Sequence, residues 1–158
     1  SAAMRQRAVA DIDRARDQLA AEVVRLGRTL RDLELESQGR TWLSCEHIVA
    51  GDRPRFEAAL AALHELIGRY PRPRYQWVAH NLGALGALWS GDWRRAEEQA
   101  LAALALAQRI GDDQIAAAAW LQTFVARRER GLRPEDEGIL RLPAARSPAS
   151  PVPHALLA

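Results

Sequence analysis

The chain has no lysine, a single cysteine and no long apolar run, and the last two features limit what the protein can be. One cysteine, Cys45, excludes a disulfide within the chain and fits a reducing, cytoplasmic environment. No apolar stretch reaches the roughly 18 residues that a membrane-spanning helix needs. We therefore expect a cytoplasmic protein with no membrane partner.

Charge gives no indication of a nucleic-acid partner. The 22 basic and 20 acidic residues leave a formal net charge of +2, and the two signs are interspersed along the sequence. Proteins that bind DNA or RNA usually gather their positive charge into a patch or stripe. We therefore expect this segment to bind no nucleic acid.

The clearest pattern is a glycine that returns every 40 residues. Gly51, Gly91 and Gly131 follow one another at that interval, and the first two stand in the related phrases AGDR and SGDW. Alanine and leucine dominate the segments between them, while β-branched residues are few, a composition that favours helix over strand. The sequence therefore predicts a repeated helical unit of about 40 residues.

Glycine followed by aspartate is a plausible helix junction. Glycine can take the left-handed conformation that closes a helix, and the next aspartate can cap the following helix. Gly51–Asp52, Gly91–Asp92 and Gly111–Asp112 fit this pattern. Gly27 and Gly68 each follow a helix-like stretch as well: one predicted helix ends just before Gly27, and Gly68 falls in the last turn of another.

Six helices follow from these junctions, over residues 4–26, 30–50, 53–69, 74–90, 92–110 and 113–130. Apolar residues at helical spacing support them. These stripes are Phe56, Leu60, Leu63 and Ile67; Val78, Leu82, Leu85 and Trp89; and Ala96, Ala100, Ala103 and Ala107. Short connections make successive helices antiparallel, which predicts an all-α solenoid of helical hairpins. A simple antiparallel bundle is the alternative.

The last part of the sequence differs from the rest. Residues 1–142 form the predicted helical-repeat domain, with a short seventh helix over 133–142. Four prolines and two serines then predict a linker or loosely held tail over 143–158. Its final residues resemble the start of another helix, so we expect the chain to be a fragment of a longer protein.

The junction at Gly91 resembles the tetratricopeptide repeat. In LWSGDWRRAEEQA, the glycine, the aromatic Trp93 and Ala96 follow that family's pattern, and Ala103 falls on a further small position. The unit at Gly51 keeps the glycine but has Phe56 in place of the alanine, and the unit at Gly131 keeps little beyond the glycine.

A wider resemblance extends over roughly residues 12 to 158. The phrases AGDR, PRP before Trp77, LWSGDWRRAE and ARRERG are similar to the C-terminal helical-repeat region of large actinobacterial regulators with a signalling-ATPase core, including LuxR-type and cyclase-linked members. The resemblance implies a sensor or docking arm of a transcriptional regulator. No phosphate-binding loop and no DNA-recognition module occur in this sequence.

Catalytic and metal-binding patterns are weak. Cys45 and His47 lie two apart on a predicted helix, so their side chains diverge. We predict that Cys45 is a small buried side chain. Glu97 and Glu98 are predicted to face solvent in a helix first turn. No histidine pair has the spacing of a zinc site, so we expect no catalytic residues, no metal ligands and no cofactor.

Five tryptophans are many for 158 residues. Trp42, Trp77 and Trp120 lie in the first helices of successive units and are predicted to pack between repeats. Trp89 and Trp93 flank the Gly91 turn and are predicted to be partly exposed. An exposed aromatic beside arginines would make a good binding anchor.

The tetratricopeptide resemblance implies a concave groove lined by the first helix of each hairpin. Positions ten and six residues before each turn glycine face that groove. The implied groove residues are Gln38, Thr41, Cys45, Asn81, Leu85 and Trp89, with Leu121 and Val125 from the next unit. Asn81 is the best hydrogen-bonding group among them.

The sequence therefore predicts a module that binds a protein, a peptide or a small-molecule effector. The favoured setting is the C-terminal segment of a larger cytosolic transcriptional regulator. A free-standing adaptor or a self-association domain that forms a homodimer is the alternative. An enzyme is a third hypothesis, which would need a cleft with convergent acid, base and nucleophile.

Overall fold

A computed structural model of the chain describes residues 2–131, and within that range the protein is all-α. Six helices and no strands occur among these residues, which confirms the all-α part of the predicted fold class. The helices are α1 (Ala2–Leu30), α2 (Leu33–Val49), α3 (Arg53–Arg69), α4 (Pro73–Ser90), α5 (Trp93–Ile110) and α6 (Asp113–Glu129). The predicted seventh helix and the tail over 143–158 lie outside the described residues.

The turns between helices are built from a left-handed residue and an aspartate cap. Gly51, Gly91 and Gly111 have φ of 72°, 73° and 77°, values that side chains disfavour. The aspartate after each of them accepts a hydrogen bond from a main-chain N–H in the first turn of the next helix. One helix thus ends and the next begins within two or three residues.

The first junction departs from the prediction that a helix ends before Gly27. Gly27 lies inside α1, which continues to Leu30, whereas Gly68 lies in the last turn of α3, as predicted. Arg31 takes the left-handed conformation with φ of 56°, and Asp32 caps α2. Arginine at this position gave no sequence signal for a helix end, because left-handed residues are usually glycine.

The described chain separates into two compact units, 2–72 and 73–131, and each is described by itself. In the first unit, α2 packs against α1 and α3. Gly27 of α1 lies against Glu36 of α2, and Val24 lies against Gly39. The residue numbers rise on one helix as they fall on the other, so α1 and α2 are antiparallel.

In the second unit, α5 packs against α4 and α6, and α4 also contacts α6. The predicted alanine stripe of α5 is fully buried: Ala96, Ala100, Ala103 and Ala107 expose none of their surface. Small side chains at these positions let neighbouring helices approach closely. The stripe therefore forms the centre of this unit.

Helices α4 and α6 lie side by side in the same direction. The Gln122 side chain of α6 donates to the main-chain oxygen of Asn81 on α4, which lies 41 residues earlier. Ala87 and Ala126 share one core cluster and are also about 40 residues apart. These two contacts place α4 and α6 parallel, with an offset of about 40 residues.

The close crossing of α1 and α2 generates a stability prediction. A Cβ added at Gly27 would lie 2.5 Å from the main-chain nitrogen of Glu36. Because backbone cannot yield as a flexible side chain does, we expect Gly27→Ala to lower the free energy of unfolding by about 1–3 kcal/mol. Urea denaturation of the purified chain measures this difference.

Gly68 supplies the matched control. It lies in α3, and nothing would come within 4 Å of an added Cβ. Gly68→Ala should therefore leave stability unchanged or raise it by up to about 1 kcal/mol, since alanine favours helix. Equal effects of the two substitutions would contradict a tight α1–α2 crossing.

Candidate functional site

The second unit holds the part of the predicted groove that the structure brings together. Trp77, Asn81 and Leu85 occupy successive turns of α4 and are each half-buried. Gln122 of α6 reaches this row, because its Nε2 atom donates to the Asn81 main-chain oxygen over 3.1 Å. We call these four residues the α4–α6 face.

The indole of Trp77 anchors one end of this face. It packs against a cluster of Ala103, Leu104 and Ala119, and Trp120 joins the same cluster. Both tryptophans are thereby held between helices within the second unit. Trp89, at the other end of α4, is 41% exposed.

Three polar atoms on the α4–α6 face are buried without a hydrogen-bond partner. They are Nε1 of Trp77, Oδ1 of Asn81 and Oε1 of Gln122. A buried polar group without a partner costs about 1–3 kcal/mol. Only two further such atoms, on Asp17 and Ser37, occur among the described residues, so this face holds most of them.

The predicted groove residues on α2 belong to the first unit. Gln38 and Thr41 are half-buried, and the Thr41 hydroxyl donates to the main-chain oxygen of Ser37. Cys45 is exposed, so the prediction of a buried side chain is wrong. Partial desolvation and the nearby Glu46 carboxylate still raise the pKa of the Cys45 thiol. The thiol is therefore protonated at neutral pH, which makes it a poor nucleophile.

Two other predictions are corrected by the structure. Trp42 is 46% exposed, so it does not pack between repeats as predicted. Glu97 was expected to face solvent, but its side chain is only 15% exposed. The Glu97 carboxylate binds Arg127, 2.6 Å away, and Arg130. It therefore joins α5 to the end of α6.

The other polar groups do not converge on a second site. Among residues 2–131, no group of three or more His, Cys, Asp or Glu side chains could hold a metal ion. His47 lies near Asp17 of α1, with 3.5 Å between Nδ1 and Oδ1, and His80 pairs with Gln99 at 2.9 Å. None of the helices in this range is long and apolar enough to cross a membrane.

A shallow depression lies in the first unit, between α1 and the turn from α2 to α3. Its lining includes Asp13, Asp17 and Glu46 together with Arg14 and Arg55. Because both signs of charge are mixed around it, the lining does not select one class of ligand. The α4–α6 face remains the stronger candidate site.

A charged cluster joins α1 to α2 in the first unit. Glu36 is nearly buried and accepts hydrogen bonds from Arg40 at 2.6 Å and from Arg28 at 3.1 Å. Burial of the carboxylate opposes its ionisation, but the two arginines outweigh burial and hold the pKa of Glu36 below its ordinary value. Glu36 thus links Arg28 of α1 to Arg40 on its own helix.

Comparison of the chain with protein-family models, with curated proteins and with solved structures finds no match of any of the three kinds.

The Glu36 cluster generates a pH prediction. The pKa of Glu36 is lower in the folded chain than in the unfolded chain, where it is about 4.3. The ionised carboxylate therefore stabilises the fold above about pH 4.3, and this stabilisation is lost as the pH falls through the folded pKa. We expect Glu36→Gln to lower the free energy of unfolding by about 2 kcal/mol at pH 7, because Arg40 loses its buried partner. The deficit should shrink in acid, as measured by urea denaturation from pH 7 to pH 3.

Glu57→Gln is the control, because Glu57 pairs with Arg53 on the exposed surface of α3. A surface pair of this kind contributes about 0–1 kcal/mol, so the control should change little at any pH. If the loss in free energy of unfolding caused by Glu36→Gln stays constant with pH, the charge of Glu36 is not the cause of that loss.

Proposed function

We propose that this chain is a tetratricopeptide-like helical-repeat module that binds a protein or peptide segment on the α4–α6 face. The observation that carries the proposal is the set of three buried, unpartnered polar atoms on Trp77, Asn81 and Gln122. Buried polar groups in folded proteins nearly always have partners, so a group without one requires an explanation. A bound ligand that completes their hydrogen bonds is such an explanation.

The repeat interpretation is supported by the second unit. Two equivalent helices, α4 and α6, lie parallel at an offset of about 40 residues, with α5 packed against both. That is the relation between first helices of adjacent repeats in a solenoid. The face between two such helices is the surface that the tetratricopeptide resemblance implies for binding.

An extended peptide has the right chemistry for this face. The indole N–H of Trp77 is a donor, and the amide oxygens of Asn81 and Gln122 are acceptors. A peptide backbone presents one acceptor and one donor per residue, so it can satisfy both kinds of group. Leu85 and the exposed Trp89 offer apolar contact area next to them.

Binding requires a small local rearrangement. The three atoms have almost no accessible surface in the unbound chain, so the side chains of Trp77, Asn81 and Gln122 must all shift before these atoms can meet a ligand. Rotation of Gln122 gives up its hydrogen bond to the Asn81 main-chain oxygen. The ligand has to offset that loss, which amounts to about 0.5–1.5 kcal/mol.

The wider setting that we propose is a sensor or docking arm in a larger cytosolic transcriptional regulator with a signalling ATPase. It rests on the resemblance of the glycine phrases and of the LWSGDWRRAE segment. A small-molecule effector is an alternative occupant of the same face, and a free-standing adaptor is the alternative setting. No catalytic role is proposed for any described residue.

The binding proposal predicts a separation of stability from affinity. Partners captured from the source cell by the immobilised chain are identified, purified and titrated by calorimetry. We expect Asn81→Ala with Trp89→Ala, and separately Gln122→Met, to weaken binding at least tenfold. Gln122→Met should change stability by no more than about 1 kcal/mol, because it also removes a buried oxygen without a partner.

Leu101→Ala is the control for this experiment. Leu101 is a partly exposed apolar residue of α5 in the same unit, outside the α4–α6 face. The Leu101→Ala variant should bind the partner with the same affinity as the unmodified chain. Full affinity in the Asn81/Trp89 and Gln122 variants would refute the proposed face.

The regulator setting makes a separate prediction about size. An antibody raised against this segment should detect, in the source cell, a polypeptide far larger than the 17.5 kDa of this chain. An immunoblot of whole-cell extract measures it. A band at 17.5 kDa would remove the regulator proposal and favour the adaptor, while leaving the binding proposal intact.

A further inference from the structure

The first helix carries an apolar surface that the rest of the described chain leaves uncovered. Met4, Ile12 and Leu19 of α1 are 71%, 54% and 65% exposed. Single exposed apolar residues are ordinary, but several along one helix together indicate an interaction surface. We call these three residues the α1 row.

This row lies on a different side of α1 from the one that α2 covers. Ala20, Val24 and Gly27 are the buried residues of α1. Leu19 precedes Ala20 directly, so the two side chains diverge by about 100° around the helix axis. A partner on the Leu19 side would therefore not displace α2.

Helix α1 is also longer than α2, so part of α1 has no contact with α2. Helix α1 has 29 residues and α2 has 17, so about 18 Å of α1 extends beyond what an antiparallel α2 can cover. Isolated helices of roughly this length are marginal in water and gain most of their stability from packing. The N-terminal part of α1 is therefore not covered by α2.

Two residues of the α1 row, Ile12 and Leu19, have the spacing of a coiled coil, and Met4 lies outside it. Arg5, Ile12 and Leu19 recur every seven residues, and Ala8, Ala15 and Glu22 form a second series three residues further on. Alternation of these two series is the pattern of the a and d positions of a heptad repeat. The first series has large apolar side chains and the second has small ones, apart from the charged residues Arg5 and Glu22 at the two ends. We call these six residues the α1 seam.

We propose that two copies of this chain dimerise through the α1 seam in an antiparallel coiled coil. Antiparallel pairing sets each a position against a d position of the other copy. Ile12 then faces Ala15, Leu19 faces Ala8, and Arg5 faces Glu22. Every large side chain meets a small one, so the two helices can approach closely.

Charge complementarity selects a second copy in this orientation. The antiparallel arrangement closes both ends of the seam with an Arg5–Glu22 pair, one at each end. A parallel arrangement would instead place Arg5 against Arg5 and Glu22 against Glu22, and it would set alanine against alanine. Glu22 now bonds the exposed Arg25 on its own helix at 2.7 Å, and sharing it with Arg5 costs little.

This dimer does not depend on the proposed function, because the α1 seam lies in the first unit and the α4–α6 face in the second. The first test is sedimentation velocity of the full chain from about 1 to about 300 μM. The unmodified chain should pass from monomer to dimer over this range. Leu19→Glu should raise the dissociation constant at least tenfold, because it places a charge in an apolar layer.

Val49→Glu is the control, since Val49 is an exposed apolar residue of α2 outside the α1 seam. It should dimerise as the unmodified chain does, and circular dichroism should show equal helix content in all variants. A chain that stays monomeric at the highest concentration overturns the proposal. So does an equal loss of dimer in the Leu19 and Val49 variants.

A charge exchange tests the pairing at the ends. Arg5→Glu alone and Glu22→Arg alone should each dimerise at least tenfold more weakly, because both ends then carry like charges. An equimolar mixture of the two variants should recover dimer, since each end regains one arginine and one glutamate. Failure of the mixture to recover would overturn the Arg5–Glu22 pairing.

Cross-linking decides the orientation, with Cys45→Ser in every protein to remove the native thiol. Ala8→Cys mixed with Leu19→Cys should form a mixed disulfide under oxidised glutathione, because these positions face each other only in the antiparallel dimer. A homodisulfide of Ala8→Cys as the main product would show parallel pairing and overturn the proposal.

Discussion

The turns impose the constraint from which the rest of the described structure follows. A helix leaves its last carbonyl groups and the next helix leaves its first N–H groups without partners, and the chain must satisfy both within two or three residues. A left-handed residue followed by a capping aspartate does so at Asp32, Asp52, Asp92 and Asp112. Connections this short force neighbouring helices to run antiparallel.

The two short turns that flank α5 bring residues of α4 and α6 side by side. In the second unit, Gly91 and Gly131 follow the ends of α4 and α6, and these helices run in the same direction with an offset close to the 40 residues between the two glycines. Asn81 and Gln122 become neighbours through that offset, although 41 residues separate them in sequence. The candidate site is thus a consequence of turn spacing, with buried alanines on α5 allowing the close approach that it needs.

The elements that could be predicted are those governed by local rules. Glycine–aspartate junctions, helix lengths and the alanine stripe of α5 depend on residues within one or two turns of each other, so their patterns are visible in sequence. Asn81 could be singled out because the tetratricopeptide resemblance implies a groove position ten residues before the turn glycine Gly91. Its half-buried position on α4 agrees with that placement but leaves the binding role as a proposal.

What could not be predicted depends on contacts between helices. Gly27 looks like a helix end in sequence, yet it is the place where Glu36 approaches α1 most closely. Glu97 looks solvent-facing, yet Arg127 of α6 reaches it. Gln122 has no local pattern at all, and only its hydrogen bond to Asn81 shows that it belongs to the site. Cys45 and Trp42 were misjudged for the same reason, since the burial of one side of α2 is set by its neighbours.

The two proposed surfaces have opposite chemistry, and that difference fits their separate roles. The α1 seam is apolar with one charge pair at each end, which suits a copy of itself, because a self-complementary pattern needs no other partner to satisfy it. The α4–α6 face has polar atoms without partners, which suits a ligand that supplies hydrogen bonds. A dimer formed through α1 presents two α4–α6 faces. A partner that carries two copies of the recognised segment would then be held more tightly than one face allows, without any new contact, provided that it spans both faces.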